Sequence, residues 1–318
     1  MNIVILDGFF LNPADDGWSA IKKLGNVTIY NRTAINLVVE RSFDADIILT
    51  NKTPLNAQIL RQLPRLKFIS ILATGFDIID IDAARQQDIL VANVPAYSTD
   101  SVTQYVFAAL LAFIQKPEKH HDAVKSGQWS SQNNFSFWLS PLYELSGKTM
   151  GIIGMGNTGR AVAKIADTFG MKVIAFSPRQ KNKPDLRYFS WQTVNDVFEQ
   201  SDIVSLHCPL NEQTLKFVNK ELLLQMKPSS LLINSARGEL ICEEDLADVL
   251  NNNKIAGAIL DVLSVEPPPA DNPLLSAKNC QITPHIAWAT IEARKRLIRQ
   301  TYDNIDAFLK GNPVNIIN

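Results

Sequence analysis

A chain of 318 residues has room for about two domains of ordinary size. With 46% hydrophobic and 20% charged residues the balance is that of a globular protein able to bury two cores. The net charge of −1 leaves no electrostatic footprint for nucleic acid or an anionic membrane. No apolar run approaches the roughly 20 residues of a membrane helix, and no short-period repeat or low-complexity tract interrupts the chain. The three cysteines, Cys208, Cys242 and Cys280, have neither metal-ligand spacing nor an even-numbered disulfide framework. The N-terminal MNIVILD lacks the basic start and cleavage site of a signal peptide. A cytoplasmic protein with reduced thiols and no metal is expected.

Short apolar runs alternate with helical patterns along the chain. In the first part strands are predicted over 2–6, 27–30, 46–50, 66–72 and 89–93. Helical patterns over 18–24, 36–42, 56–62 and 81–87 separate them. That alternation means parallel strands joined by crossover helices. A long helix follows, with Thr99 or Asp100 as its cap and Val102, Val106, Ala109 and Phe113 along it. Pro117 restarts the chain as a second helix and Gly127 stops it. The stretch 128–145 carries Trp129, Phe135, Phe137, Trp138 and Tyr143 without a regular period. A surface loop so aromatic would expose much apolar area, so burial against a partner is expected. Strands are predicted again over 149–153, 172–176, 203–207, 230–234, 257–260 and 280–283, and a last helix over 290–310. Domain boundaries near 97–103 and near 290 make the first domain discontinuous, 1–98 plus 291–318, around a second domain of 99–290.

Gly154-Met155-Gly156-Asn157-Thr158-Gly159 matches GxGxxG. Its context gives it weight, because a strand ends at Gly154, a helical pattern starts at Asn157 and a second strand follows. This is the dinucleotide fingerprint. Gly154 makes the tight turn, Gly156 lets the pyrophosphate approach the backbone, and Gly159 lets helix and strand pack closely. N–H groups at the helix start bind the phosphates. The second strand ends in Ser177-Pro178-Arg179-Gln180, where an NAD enzyme usually has an acid for the ribose hydroxyls. Ser177 does not repel a 2′-phosphate and Arg179 can pair with one. Lys181 and Lys183 add positive potential. The expectation is an NAD(P) cofactor, with NADP(H) favoured.

Three polar residues stand at the ends of later strands. They are Arg237 in Ser235-Ala236-Arg237-Gly238, Glu266 in Glu266-Pro267, and His285 in Thr283-Pro284-His285-Ile286-Ala287-Trp288. Taken singly each has a bland reading: a turn, a loop, a satisfied core histidine. Together they supply what carbonyl reduction needs. A histidine protonates the forming alkoxide, a carboxylate holds that histidine protonated near neutral pH, and an arginine binds a substrate carboxylate and polarises the carbonyl.

Ser235-Ala236-Arg237-Gly238, Asp261…Glu266-Pro267 and Pro284-His285, in order after the glycine fingerprint, resemble the D-isomer-specific 2-hydroxyacid dehydrogenase family. The resemblance spans nearly the whole chain. It implies an α/β fold of two Rossmann/flavodoxin-like parallel-sheet domains with the active site in the cleft between them. It implies Arg237, Glu266 and His285 as the catalytic set and Asp261 at the nicotinamide amide. It places His207-Cys208-Pro209 and Thr214 on the adenosine and phosphate side, and Ser235-Ala236 on the nicotinamide ribose side. Ala73-Thr74-Gly75-Phe76-Asp77 matches the family's substrate loop, where N–H groups around a glycine cradle a carboxylate.

Within the family, Asn93-Val94-Pro95-Ala96-Tyr97, Thr99-Asp100-Ser101-Val102 and His285-Ile286-Ala287-Trp288-Ala289-Thr290 look most like glycerate dehydrogenases, also called hydroxypyruvate reductases. Trp288 accordingly joins the substrate site. The expected substrate is a small 2-oxo or 2-hydroxy acid, hydroxypyruvate or glyoxylate, with D-lactate or a branched acid as alternatives. Ser177 departs from the acid that many NAD-using members carry. A sequence ending at Asn318 leaves no regulatory domain of the phosphoglycerate dehydrogenase kind to expect. The related transcriptional corepressors keep the fold and triad as nucleotide-sensing binding proteins, but their disordered tail has no counterpart in this sequence. Resemblance also implies a homodimer built on the helix and arm 100–145, with an arm aromatic reaching the partner's active site; Trp138 is the aromatic expected nearest it.

Overall fold

The computed structural model describes residues 1–11, 17–180 and 183–318. It divides into two units, Met1–Ser98 with Ala289–Asn318, and Thr99–Trp288.

The first unit is built on five strands: β1 (Asn2–Ile5), β2 (Asn26–Ile29), β3 (Ile47–Thr50), β4 (Phe68–Ile71) and β5 (Leu90–Ala92). Their order is β2-β1-β3-β4-β5 and all pairs are parallel. β3 and β4 are buried at every position, which explains their continuous apolar runs. The C-terminal helix Ile291–Leu309 belongs to this unit, where Phe308 stacks on Phe68 of β4 at 4.5 Å. Asn304 Nδ2 donates to Asn93 O at 2.9 Å and Arg296 Nε to Tyr97 O at 2.8 Å. As predicted, Thr290 starts this helix; its hydroxyl accepts from Ala293 N.

The second unit holds seven parallel strands: β6 (Thr149–Ile153), β7 (Lys172–Phe176), β8 (Phe189–Trp191), β9 (Ile203–Leu206), β10 (Leu231–Asn234), β11 (Gly257–Leu260) and β12 (Cys280–Ile282). Their order is β12-β11-β10-β9-β6-β7-β8. The chain reverses its direction of progress across the sheet between β6 and β9. Ligands bind at such a switch point, outside the carboxyl ends of the strands. In the first unit the corresponding point lies between β1 and β3.

The edge strand β8 was not expected from the sequence, because its three residues are half-buried and form no apolar run. The long helix is Thr99–Gln115. Thr99 and Asp100 lie inside its first turn rather than before it, which corrects the predicted cap. Helix Pro117–Lys125 follows, and Gly127, with φ +84°, turns the chain away. From there to Thr149 the arm has no helix or strand. Phe135 is 91% exposed and Trp138 70%. The arm is still tied to the two helices. His120 Nδ1 donates to Lys116 O at 2.8 Å, and its Nε2 accepts from Leu139 N at 3.0 Å. Gln115 Nε2 donates to Tyr143 O at 2.8 Å.

Candidate active site

The glycine fingerprint follows β6 and opens helix Asn157–Thr168. Each glycine has its own reason. Gly154 has φ +98°, and a Cβ there would lie 2.6 Å from Cys208 N. A Cβ on Gly159 would lie 2.0 Å from Gly154 O, so helix and turn touch backbone to backbone. A Cβ on Gly156 would meet nothing within 4 Å, so the helix start is open where a pyrophosphate would need to approach. The residues therefore fit a dinucleotide on the structure's own geometry.

His207 and Cys208, after β9, press on Gly154 from the other side of the switch point. His207 Nε2 lies 2.9 Å from Ser205 Oγ, and burial lowers its pKa to about 4, so it is neutral at physiological pH. Burial likewise pushes the Cys208 thiol up to about 11 and that of Cys280 to about 12, leaving both unreactive. Thr214 donates its hydroxyl to Pro209 O at 2.8 Å, closing the 209–214 loop on itself. Ser177 is half-buried at the end of β7 and Arg179 is exposed. Lys183 is exposed too, while Lys181 lies outside the described residues.

The three polar candidates all lie in the second unit, on loops after β10, β11 and β12. Asn234, 0% exposed at the end of β10, shapes the first loop. Its Oδ1 accepts from Ala236 N at 3.0 Å and its Nδ2 donates to Arg237 O at 2.7 Å. Arg237 Nη1 donates to Ala236 O at 2.8 Å. Ser235 Oγ is a buried hydroxyl with no partner in the protein, on the loop expected at the nicotinamide ribose. Gly238 then lets this loop press against the next: a Cβ would fall 1.9 Å from Leu263 C. The β11 loop is braced by Glu243 on helix Glu243–Asn251, which accepts from Ser264 N and Asn272 Nδ2, both at 2.7 Å. At its far end Glu266, joined to Pro267 by a cis peptide, meets His285. Glu266 Oε2 and His285 Nδ1 are 2.6 Å apart, with the side chains 30% and 25% exposed. The structure thus pairs the two residues that the sequence separates by 19 positions.

His285 sits at φ +54°, uncommon for a residue with a side chain. Asp261, 1% exposed, holds it there. Asp261 O accepts from His285 N at 2.8 Å. Its carboxylate accepts from Thr283 Oγ1 at 2.6 Å, Ile286 N at 2.9 Å and Ala287 N at 2.8 Å. Burial raises the Asp261 carboxyl above its ordinary value, and these donors oppose the shift. Most of its acceptor capacity is therefore turned to the 283–287 loop, leaving one lone pair on Oδ2 for any further donor. Trp288, half-buried, ends the second unit.

In the first unit, Ala73-Thr74-Gly75 follows β4. Thr74 Oγ1 donates to Val94 O at 2.8 Å, Asn93 Nδ2 to Thr74 O at 2.7 Å, and Val94 N to Ala73 O at 3.0 Å. Beside it the turn after β3 is caged by buried Asp7, whose carboxylate accepts from Asn51 N, Lys52 N and Thr53 N, each at 2.7 Å. No role for Asp7, Asn234 or Glu243 was expected from the sequence. Each acts on residues distant in the sequence or on backbone groups, and no local motif announces that.

The match to known proteins decides the family. Residues 107–287 fit the family model described as D-isomer specific 2-hydroxyacid dehydrogenase, NAD binding domain. The chain belongs to the D-isomer specific 2-hydroxyacid dehydrogenases. Over the full length of both chains this dehydrogenase is 44% identical to a hydroxypyruvate reductase of Blautia hydrogenotrophica. It is 38% identical to a glycerate dehydrogenase of Methylorubrum extorquens, over 88% of each. Among solved structures, an acyclic imino acid reductase in complex with NADPH and D-Arg superposes with a TM-score of 0.87 at 31% identity, covering both chains completely. The dehydrogenase is an oxidoreductase that uses a nicotinamide cofactor, and its two parallel-sheet units carry the Rossmann-like fold of the family. Among the described residues no helix is long and apolar enough to cross a membrane, and no cluster of His, Cys, Asp and Glu is arranged to hold a metal ion.

Proposed function

We propose that this dehydrogenase reduces hydroxypyruvate and glyoxylate to D-glycerate and glycolate, using NADPH in preference to NADH. The observation that carries the chemistry is the 2.6 Å pair of His285 Nδ1 and Glu266 Oε2. Glu266 accepts the Nδ1 proton and leaves the opposite ring nitrogen, Nε2, to give its proton to the carbonyl oxygen. The carboxylate is also the counter-ion of the imidazolium. Arg237 binds the substrate carboxylate and polarises the carbonyl. The family resemblance assigns Ala73-Thr74-Gly75 of the first unit to carboxylate binding through its N–H groups, and Trp288 to the substrate site. When bound, the reduced nicotinamide supplies the hydride that reaches C2 of the oxo acid. Gly154, Gly156, Asn157, Thr158 and Gly159 hold the pyrophosphate. His207-Cys208-Pro209 and Thr214 line the adenosine side. Ser235 and Ala236 line the nicotinamide ribose, where the unpartnered Ser235 hydroxyl finds an acceptor. Asp261 receives the nicotinamide amide on its remaining lone pair.

The substrate follows from the relatives' activities and is tested by assaying a panel of 2-oxo acids with NADH and with NADPH. Hydroxypyruvate and glyoxylate should give the highest kcat/KM; a pyruvate or branched-acid optimum would replace this substrate assignment. The preference for NADPH rests on Ser177 and Arg179. Ser177→Asp should move the preference toward NADH by repelling the 2′-phosphate. Arg179→Ala should raise the KM for NADPH more than that for NADH. Strong NADH preference in the wild type, with both KM values unmoved by Arg179→Ala, would contradict it.

We assign the enzyme to the cytoplasm, where its three free cysteines stay reduced. We also assign a two-fold dimer, because the arm leaves Phe135, Trp138 and Tyr143 in water in the isolated chain. An obligate interface of this kind buries upwards of about 2,000 Å². Light scattering with assay on one sample should find activity only at twice 35.4 kDa. An active species of single-chain mass at micromolar concentration would contradict the dimer. Trp138→Ala should change the substrate kinetics if this ring reaches the partner's site, and unchanged constants in an intact dimer would remove that role.

A further inference from the structure

The loop that carries His285 is gripped from one side by a helix outside the fingerprint and the triad. Ser101 and Tyr105 stand one turn apart on helix Thr99–Gln115 and so share a face. Ser101 Oγ donates to Ala287 O at 2.6 Å, and the pair is buried. Tyr105 Oη lies 2.5 Å from Thr283 Oγ1. The two contacted residues bracket His285: Thr283 lies two positions before it and Ala287 two positions after.

The direction of the second contact follows from proton counting. Thr283 has a single hydroxyl proton, and the 2.6 Å bond to Asp261 Oδ1 uses it. Tyr105 therefore donates to Thr283, and Thr283 to Asp261. Burial, with the Asp261 charge nearby, raises the Tyr105 phenol and keeps its proton in place. The chain of donors ends on the same carboxylate that receives Ile286 N and Ala287 N, the two amides that follow His285. Ionised Asp261 can only accept, so each donor fixes its rotation, and its rotation fixes the turn.

We propose that Tyr105, Thr283 and Ser101 are positioning residues for proton transfer: through Asp261 and Ala287 they hold His285 in its positive-φ conformation, with its ring against Glu266. The inference rests on His285 being the proton donor of the proposed reaction. The left-handed conformation of a residue with a side chain is strained and persists only where its surroundings over-determine it. Six hydrogen bonds tie Ser101, Tyr105 and Asp261 to the five-residue loop 283–287 and do that here. A small displacement of a reacting group can cost up to about a hundredfold in rate, so loosening one contact should show in the chemical step before it shows in binding.

The test measures the single-turnover rate of cofactor oxidation with saturating substrate, and cofactor affinity by fluorescence titration. Thr283→Val keeps the shape and removes the hydroxyl; Thr283→Ser keeps the hydroxyl. Thr283→Val and Tyr105→Phe should each slow the step roughly tenfold with cofactor affinity within about twofold of wild type, and Thr283→Ser should restore most of the rate. In the His285→Ala background Thr283→Val should add no further loss. Equal loss in Thr283→Val and Thr283→Ser would make the effect one of packing and overturn the proposal. Wild-type rates in Thr283→Val and Tyr105→Phe would overturn it as well. The two failures separate cleanly: an active His285→Ala sinks the assignment of the proton donor, whereas an inactive His285→Ala beside a normal Thr283→Val sinks only the brace.

Discussion

His285→Ala should lower kcat for reduction by a factor on the order of 10² to 10⁴, the range general acid–base catalysis contributes. The imidazole meets three conditions at once. It is partly exposed, it is bonded at 2.6 Å to a carboxylate that can balance a positive charge, and its backbone is held at φ +54° by Asp261. Removing the ring removes the proposed proton donor and leaves the fold alone, since the loop is held by backbone amides that the substitution keeps. Cofactor affinity should therefore change little, and the loss should fall on kcat. A near-normal kcat at neutral pH would take His285 out of the mechanism.

Gly238→Ala should produce the largest structural effect of any single methyl group near the site. The added Cβ would fall 1.9 Å from Leu263 C, 2.2 Å from Leu263 O and 2.3 Å from Ser264 N. All three are backbone atoms, so no side chain can swing aside. The loops after β10 and β11 must separate, and they carry Arg237 and Glu266. Forced overpacking of this kind costs about 1–3 kcal/mol, which for a domain of this size lowers Tm by about 2–4 °C per kcal/mol. Because both displaced loops carry residues of the proposed catalytic set, kcat should fall at least tenfold, in line with the rate sensitivity to misplacements of about 1 Å. Gly156→Ala is the contrasting case. Its Cβ meets nothing within 4 Å, so Tm should hold while cofactor affinity weakens. Calorimetry and cofactor titration on the two variants separate a glycine needed by the protein from one needed by its ligand. A Gly238→Ala enzyme with wild-type Tm and kcat would contradict the account of these loops.

The sequence made the architecture legible because buried parallel strands are written as continuous apolar runs. β3, β4, β9, β10 and β11 are buried at every position and were all anticipated. β8 was not, being short, half-buried and at a sheet edge. The glycines of the fingerprint were legible because steric need at fixed spacing is a local property. What holds the site in place was not. Tyr105 reaches Thr283 across 178 positions and Ser101 reaches Ala287 across 186. Asp261 carried a family role at the nicotinamide amide, and nothing in its neighbours showed that its carboxylate also takes three donors from its own chain. Gly238 stood in a quoted motif, yet its reason lies in Leu263, on another loop. A positive φ at His285 has no signature in the residue itself.

Hydride delivery to one face of a small 2-oxo acid by this dehydrogenase should leave the D alcohol. The most direct measurement follows reduction of hydroxypyruvate with each reduced cofactor and determines the configuration of the glycerate formed. D-glycerate should form from both cofactors, faster with NADPH, and almost none should come from the His285→Ala enzyme. L-glycerate, or no oxidation of either cofactor, would contradict it.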